Sequence, residues 1–298
     1  MNFSLAVFLV VSPGEERIAE EGLHRALALV PEEYTTSVYV FDNTGKSNLI
    51  DRLSSREEIA VITVPEAPRP YTEIGKTVFW CFGNLAKRSF DLLIKLDPDT
   101  VVLSREFFED LASLSQSEQA DFIAPHAVYR ARGDNMKRWM RLLVDCLPVG
   151  LSREPATHRY GKAGKLRIGM TWHARATFWG LMKLKWPYAQ PTGGGYAIGK
   201  GILGLMDKNG YLVPAGKNGL EWNDDVLLPI LIKMLGGKVI DIRKTRFVEG
   251  WKYMHGARYF TIEDLNDENL RAIHPLKDTE ADWTIRSAIP CVTLKHHV

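Results

Sequence analysis

The chain has 298 residues, 45% hydrophobic and 25% charged, with a formal net charge of +2. That length gives one large α/β domain or two small ones, and the composition is that of an ordinary soluble globular protein. Its three cysteines, Cys81, Cys146 and Cys291, are odd in number and none lies in a CxxC pair. This argues against a disulfide framework or a zinc knuckle and for a reducing compartment.

The N-terminal apolar run is about ten residues long with no basic residue before it, too short to span a bilayer, and no other segment reaches that length. A cytoplasmic protein, at most peripheral to a membrane, is expected. Residues 5–11 are instead the first predicted strand, followed by a helix over 15–29 with Ile18, Leu23 and Leu27 near helical spacing. Strands are predicted over 37–45, running into Asp42-Asn43 and a turn, and over 59–65, closed by Pro65. A helix over 71–88 sets Ile74, Val78, Phe82 and Leu85 on one face, and the apolar strand 90–96 stops at Asp97-Pro98-Asp99. Helix 105–114 and strand 120–125 follow.

Residues 129–186 break the pattern. They carry 13 Lys/Arg against 3 Asp/Glu and are rich in Trp and Tyr. Such a stretch fits an anionic partner, or a solvated basic loop. Regular structure resumes over 192–206, then a helix over 223–237 and a strand over 238–242. Alternating strands and helices favour a mostly parallel, Rossmann-like α/β sheet with helices on both faces, whose ligands bind beyond the carboxyl ends of the strands. Asp42 and the Asp97-Pro98-Asp99 turn belong at such ends. No repeat or linker appears, so one domain is expected: a first half over 1–126, a basic aromatic insertion over 127–191 and a second half over 192–298.

Carboxylates at i and i+2 past a strand, as in Asp97 and Asp99, can share one divalent ion of the Mg²⁺ or Mn²⁺ kind; the plainer reading is a turn. Asp224 and Asp225 open a helix, where acids cap and complement the dipole, or one serves as a general base. Gly194 and Gly195, within a triplet beginning at Gly193, permit close approach of a ligand to the backbone or mark a bulged strand. The triplet is not a dinucleotide fingerprint, because Ile198 stands where a glycine would be needed, and 43–48 is no phosphate loop.

Four segments in order, VYVFDNTG, LLIKLDPDTVV, TGGGYAIGKGIL and WNDDVLLPILIKMLGGKVIDI, resemble the GT-A glycosyltransferases, family 2 above all. The resemblance spans roughly 5–126 and 190–243 and implies a GT-A fold. By it Asp97 and Asp99 hold Mn²⁺ or Mg²⁺ on the diphosphate of a nucleotide-sugar, a UDP-sugar first. His274 is a third metal ligand, with His255 its competitor, and Lys277, one turn on, meets a phosphate. Asp42 meets the nucleobase, and Lys76 falls near the nucleotide, though a solvated lysine is the plainer reading. The acidic pair before Val226 makes Asp225 the base of an inverting transfer, with Asp224 the first acid of the pair, a Glu in many members. Three acceptors suit the basic stretch: a lipid-linked sugar, an acidic glycan, or DNA carrying a hydroxylated base. The rivals are a sugar nucleotidyltransferase and a non-catalytic glycan- or nucleic-acid-binding protein on a transferase fold.

Overall fold

The structure is a computed structural model describing residues 3–46, 48–53, 59–70, 74–127, 190–191, 194–212, 224–242, 253–254 and 262–290. The basic stretch 129–186, Gly193 and His255 lie outside the described residues. Strands β1 (Ser4–Val11), β2 (Thr35–Asp42), β3 (Ile59–Thr63) and β4 (Leu92–Leu96) are separated by helices α1 (Glu16–Leu29), α2 (Asn48–Leu53) and α3 (Ile74–Leu85). Then come β5 (Val101–Val102), α4 (Glu106–Ser117), β6 (Phe122–Ala124), β7 (His126–Ala127), β8 (Gln190–Pro191) and β9 (Gly195–Gly199). Helices α5 (Lys200–Lys208) and α6 (Asp224–Met234), β10 (Val239–Asp241), β11 (Tyr253–Met254), β12 (Ala272–Ile273) and α7 (Glu280–Ala288) complete the order.

Seven strands form one sheet in the order β10-β6-β9-β4-β1-β2-β3. All neighbours are parallel except β9, which runs antiparallel to both β4 and β6. The predicted α/β architecture is therefore present, with one reversed strand inside a mostly parallel sheet.

β1 shows why helices cover both faces. It is buried almost throughout, as a central parallel strand must be. Leu5, Val7, Leu9 and Val11 join residues of α1, α2 and α4 in one core, whereas Ala6, Phe8 and Val10 join α3, α5 and α6 in another. At about 25 cal/mol per Å² of buried apolar surface, these two cores are the main favourable term of the fold.

The differences from the sequence reading are local. The strand expected from 37 starts earlier, at Thr35, and ends at Asp42 as expected, where Thr44 N and Oγ1 both donate to Asp42 Oδ1 and turn the chain. The helix expected over 71–88 spans Ile74–Leu85; residues 71–73 are outside the described ones. The sequence reading lacked α2, the β5–β12 pairing and α7. Val101, Leu270, Ile273, Leu276, Ile285 and Ile289 form a third, smaller core that seats this C-terminal segment.

From β1 the chain moves outward to β2 and β3, then crosses back to place β4 on the other side of β1. The crossovers on either side of β1 thus diverge, leaving a crevice beyond the carboxyl ends of β1 and β4.

Candidate functional site

A cavity of about 750 Å³ opens at that crevice. Ser12, Pro13 and Glu15 enter it from the β1–α1 turn, Lys95, Asp97 and Asp99 from β4 and its turn, Asp224 and Asp225 from α6, and His274 and Lys277 from the segment after β12. Pro68, Arg69, Pro70, Ile74 and Val78 add to the wall.

The turn is built by backbone bonds. Thr100 N donates to Asp97 O at 2.9 Å, and Asp97 N donates to Gly194 O at 3.1 Å. Thr100 Oγ1 donates to the same Gly194 carbonyl. Antiparallel pairing sets Leu96 opposite Gly195, so the glycines lie against the metal-candidate turn rather than among the residues lining the cavity. A Cβ at Gly195 would meet Lys95 O at 3.5 Å, ordinary contact.

β12 pairs antiparallel with β5, and Leu276 N donates to Asp99 O at 2.8 Å. This ladder carries His274 onto the turn: its Nε2 lies 3.1 Å from Asp99 Oδ1 and 3.6 Å from Asp97 Oδ2. Ligand atoms of Asp97, Asp99 and His274 all fall within 4.8 Å of one another. Two carboxylates suit Mg²⁺ or Mn²⁺, and the imidazole adds a nitrogen donor that favours the transition ion. The residues fit a divalent ion.

Electrostatics divides the acids. Burial raises the Asp97 carboxyl above the usual range, Asp99 and Asp224 adding to it and Lys95 and His274 opposing. Burial acts in the same sense on Asp99, but the hydrogen bond and charge of His274, with Lys277, outweigh it and leave that carboxyl low. Glu15 is raised, by burial first, with Asp99 and Asp97 adding and the backbone bond from Ser12 opposing.

On the far wall Asp224 is 5% exposed and accepts from Tyr196 Oη. Burial, then Asp224, push the Tyr196 phenol well up, so it stays a donor. Lys95 reaches both walls, 2.5 Å from Asp97 Oδ1 and 3.4 Å from Asp224 Oδ2. Burial would discharge it, but Asp224 and Asp97 raise it well above the ordinary lysine value.

The structure thus brings together Asp97, Asp99, His274, Lys277, Asp224 and Asp225. Asp42 stands apart: it is 2% exposed, bonded to Thr44, and not among the lining residues. Asn43, next to it, exchanges bonds with Arg69, which does line the cavity. Gly45 lets this loop close at φ +71°, because a Cβ there would meet Pro68 Cδ at 2.6 Å. Lys76 lies on α3 and is also absent from the lining.

Sequence reasoning missed Lys95 and Tyr196. The signal for Lys95 was a charge inside LLIKL, a strand otherwise apolar. No protein-family model matches the chain, and neither does any curated protein. Among the described residues, no helix is long and apolar enough to cross a membrane.

Proposed function

We propose that this chain is a metal-dependent glycosyltransferase of the GT-A kind, moving a sugar from a nucleotide-sugar, a UDP-sugar first, to an acceptor hydroxyl with inversion. One observation carries the reading. Asp97-Asp99-His274 and the Asp224-Asp225 pair come from three distant chain segments and face one cavity at the diverging strand ends.

A divalent ion held by Asp97, Asp99 and His274 would neutralise a diphosphate and make it a better leaving group. Lys277 and Arg69 present cations to the same cavity, where phosphate oxygens accept charge-assisted hydrogen bonds. Asp224 is engaged by Tyr196 and Lys95 and holds the first turn of α6 in place. Asp225, lining the cavity beside it, takes the proton of the attacking hydroxyl. The acceptor is anionic on this reading, a lipid-linked sugar, an acidic glycan or hydroxylated DNA, and that class rests on the basic stretch 129–186 alone. Glu15 weighs against a nucleotidyltransferase, because it puts a carboxylate on the first strand-to-helix turn, where a triphosphate needs donors.

The test is a thermal-shift panel of nucleoside diphosphates with and without Mn²⁺, on the native chain and on Asp99→Ala. A nucleotide at about 100 times its dissociation constant adds roughly 2.7 kcal/mol. We expect a Mn²⁺-dependent rise for one nucleotide, lost in Asp99→Ala. No rise with any nucleotide refutes the donor site. A rise without sugar turnover leaves a binding protein on a transferase fold.

A further inference from the structure

β4 is buried on both faces, yet its fourth residue is a lysine whose side chain is only 6% exposed. Its cross-strand partner in the β4–β9 pairing is Tyr196. The two share the sheet face covered by α6: Lys95 Nζ lies 5.2 Å from the Tyr196 ring centroid, and both reach Asp224 Oδ2. Lys95 also holds Asp97 Oδ1 at 2.5 Å, and Asp97 Oδ2 faces His274 Nε2 at 3.6 Å. The ammonium therefore divides the two oxygens of Asp97, taking one and leaving the other toward the metal position.

Stability alone does not call for this arrangement. A buried ion pair replaced by apolar side chains of similar volume is often no less stable, because desolvation offsets the Coulomb gain. What an apolar residue could not do is orient one carboxylate while tying it to another on a different element.

We infer that Lys95 is a positioning residue that fixes the metal-facing oxygen of Asp97 and, through Asp224, the spacing between the metal-ligating turn and the first turn of α6. In the transferase reading, on which this rests, it keeps the donor-side and acceptor-side carboxylates in one frame. Groups that orient metal ligands in this way are worth about 10- to 100-fold in metal affinity or activity.

The experiment uses the full chain and Mn²⁺ alone, read by calorimetric titration and by thermal unfolding, on Lys95→Met, Asp224→Asn and the double variant. Lys95→Met leaves both Asp97 and Asp224 without their shared cation and is expected to lower the Tm. The double variant removes the Asp224 charge as well, leaving Asp97 with His274 as its neighbouring cation, and recovers part of the Tm, so the comparison survives if the single variant fails to fold. The positioning role predicts that Mn²⁺ affinity stays about 10- to 100-fold weaker in the double variant than in Asp224→Asn, although part of the stability has returned. If affinity returns with stability, or if Lys95→Met binds Mn²⁺ as tightly as the native chain or tighter, Lys95 is only a structural or competing charge and the inference is overturned. A native chain that binds no Mn²⁺ overturns the metal-dependent reading together with it, which the other outcomes do not.

Discussion

Asp97 and Asp99 stand two residues apart, yet their carboxyls are shifted in opposite directions. Asp97, raised in the fold, contributes stability that is complete below the unfolded carboxylate value of about 3.9 and is lost as pH rises through its raised folded value. Asp99, lowered, contributes stability that is present above about 3.9 and is lost as pH falls through its lower folded value. Metal binding needs both ionised, and Asp97 is the one that resists. The gain in Tm from a fixed Mn²⁺ concentration is therefore expected to grow from about pH 4 to about pH 7, as the ion displaces the protons its ligands would otherwise hold, the one that burial favours on Asp97 among them. A gain equal at both ends would mean that neither Asp97 nor His274 binds the ion. The two acids of α6 separate by substitution. Asp225→Asn is expected to keep the nucleotide-dependent thermal shift and to lose transfer by about 10²- to 10⁴-fold, the ordinary worth of a general base. Transfer at the native rate would remove Asp225 from the mechanism. The acids were legible in the sequence because turns and helix starts announce themselves locally. Lys95 and Tyr196 were not, because their meaning lies in a partner 28 residues further on in the case of Tyr196 and Asp224.

Among the elements, the long central strands were readable because a parallel strand covered on both faces is a continuous apolar run. β5, β12 and α7 were not, since two-residue strands have no period and α7 takes its place from a small separate core. Yet these short pieces deliver His274. Helix α1 acts on the site from beneath. Its Gly22 lies so close to the Asp97–Thr100 turn that a Cβ would meet Thr100 O at 3.2 Å and Pro98 O at 3.6 Å. Gly22→Ala improves helix propensity by about 1 kcal/mol, but the turn must yield by a few tenths of an ångström. The expected result is a Tm that falls little or rises, together with weaker Mn²⁺ binding by calorimetry. Unchanged affinity would show that the turn accommodates the methyl without moving its carboxylates.

At the scale of the whole molecule, the candidate metal site ties residues 97–99 to residue 274, stretches far apart in the chain. An ion there cannot remain bound if the C-terminal segment swings away, so opening of that segment and loss of the ion are one event. The amides that report it are Leu276, bonded to Asp99 O, and Leu103, bonded to Arg271 O. In native-state hydrogen exchange, an ion at about 100 times its dissociation constant should slow both by about 100-fold, because each opening that exposes them must first pay roughly 2.7 kcal/mol to release it. Val64, whose amide bonds to Asp42 O beside the edge strand β3, can open locally without touching the site and should be unaffected. If Leu276 and Leu103 exchange at the same rate with and without the ion, the C-terminal segment opens while the ion stays, and His274 is not one of its ligands.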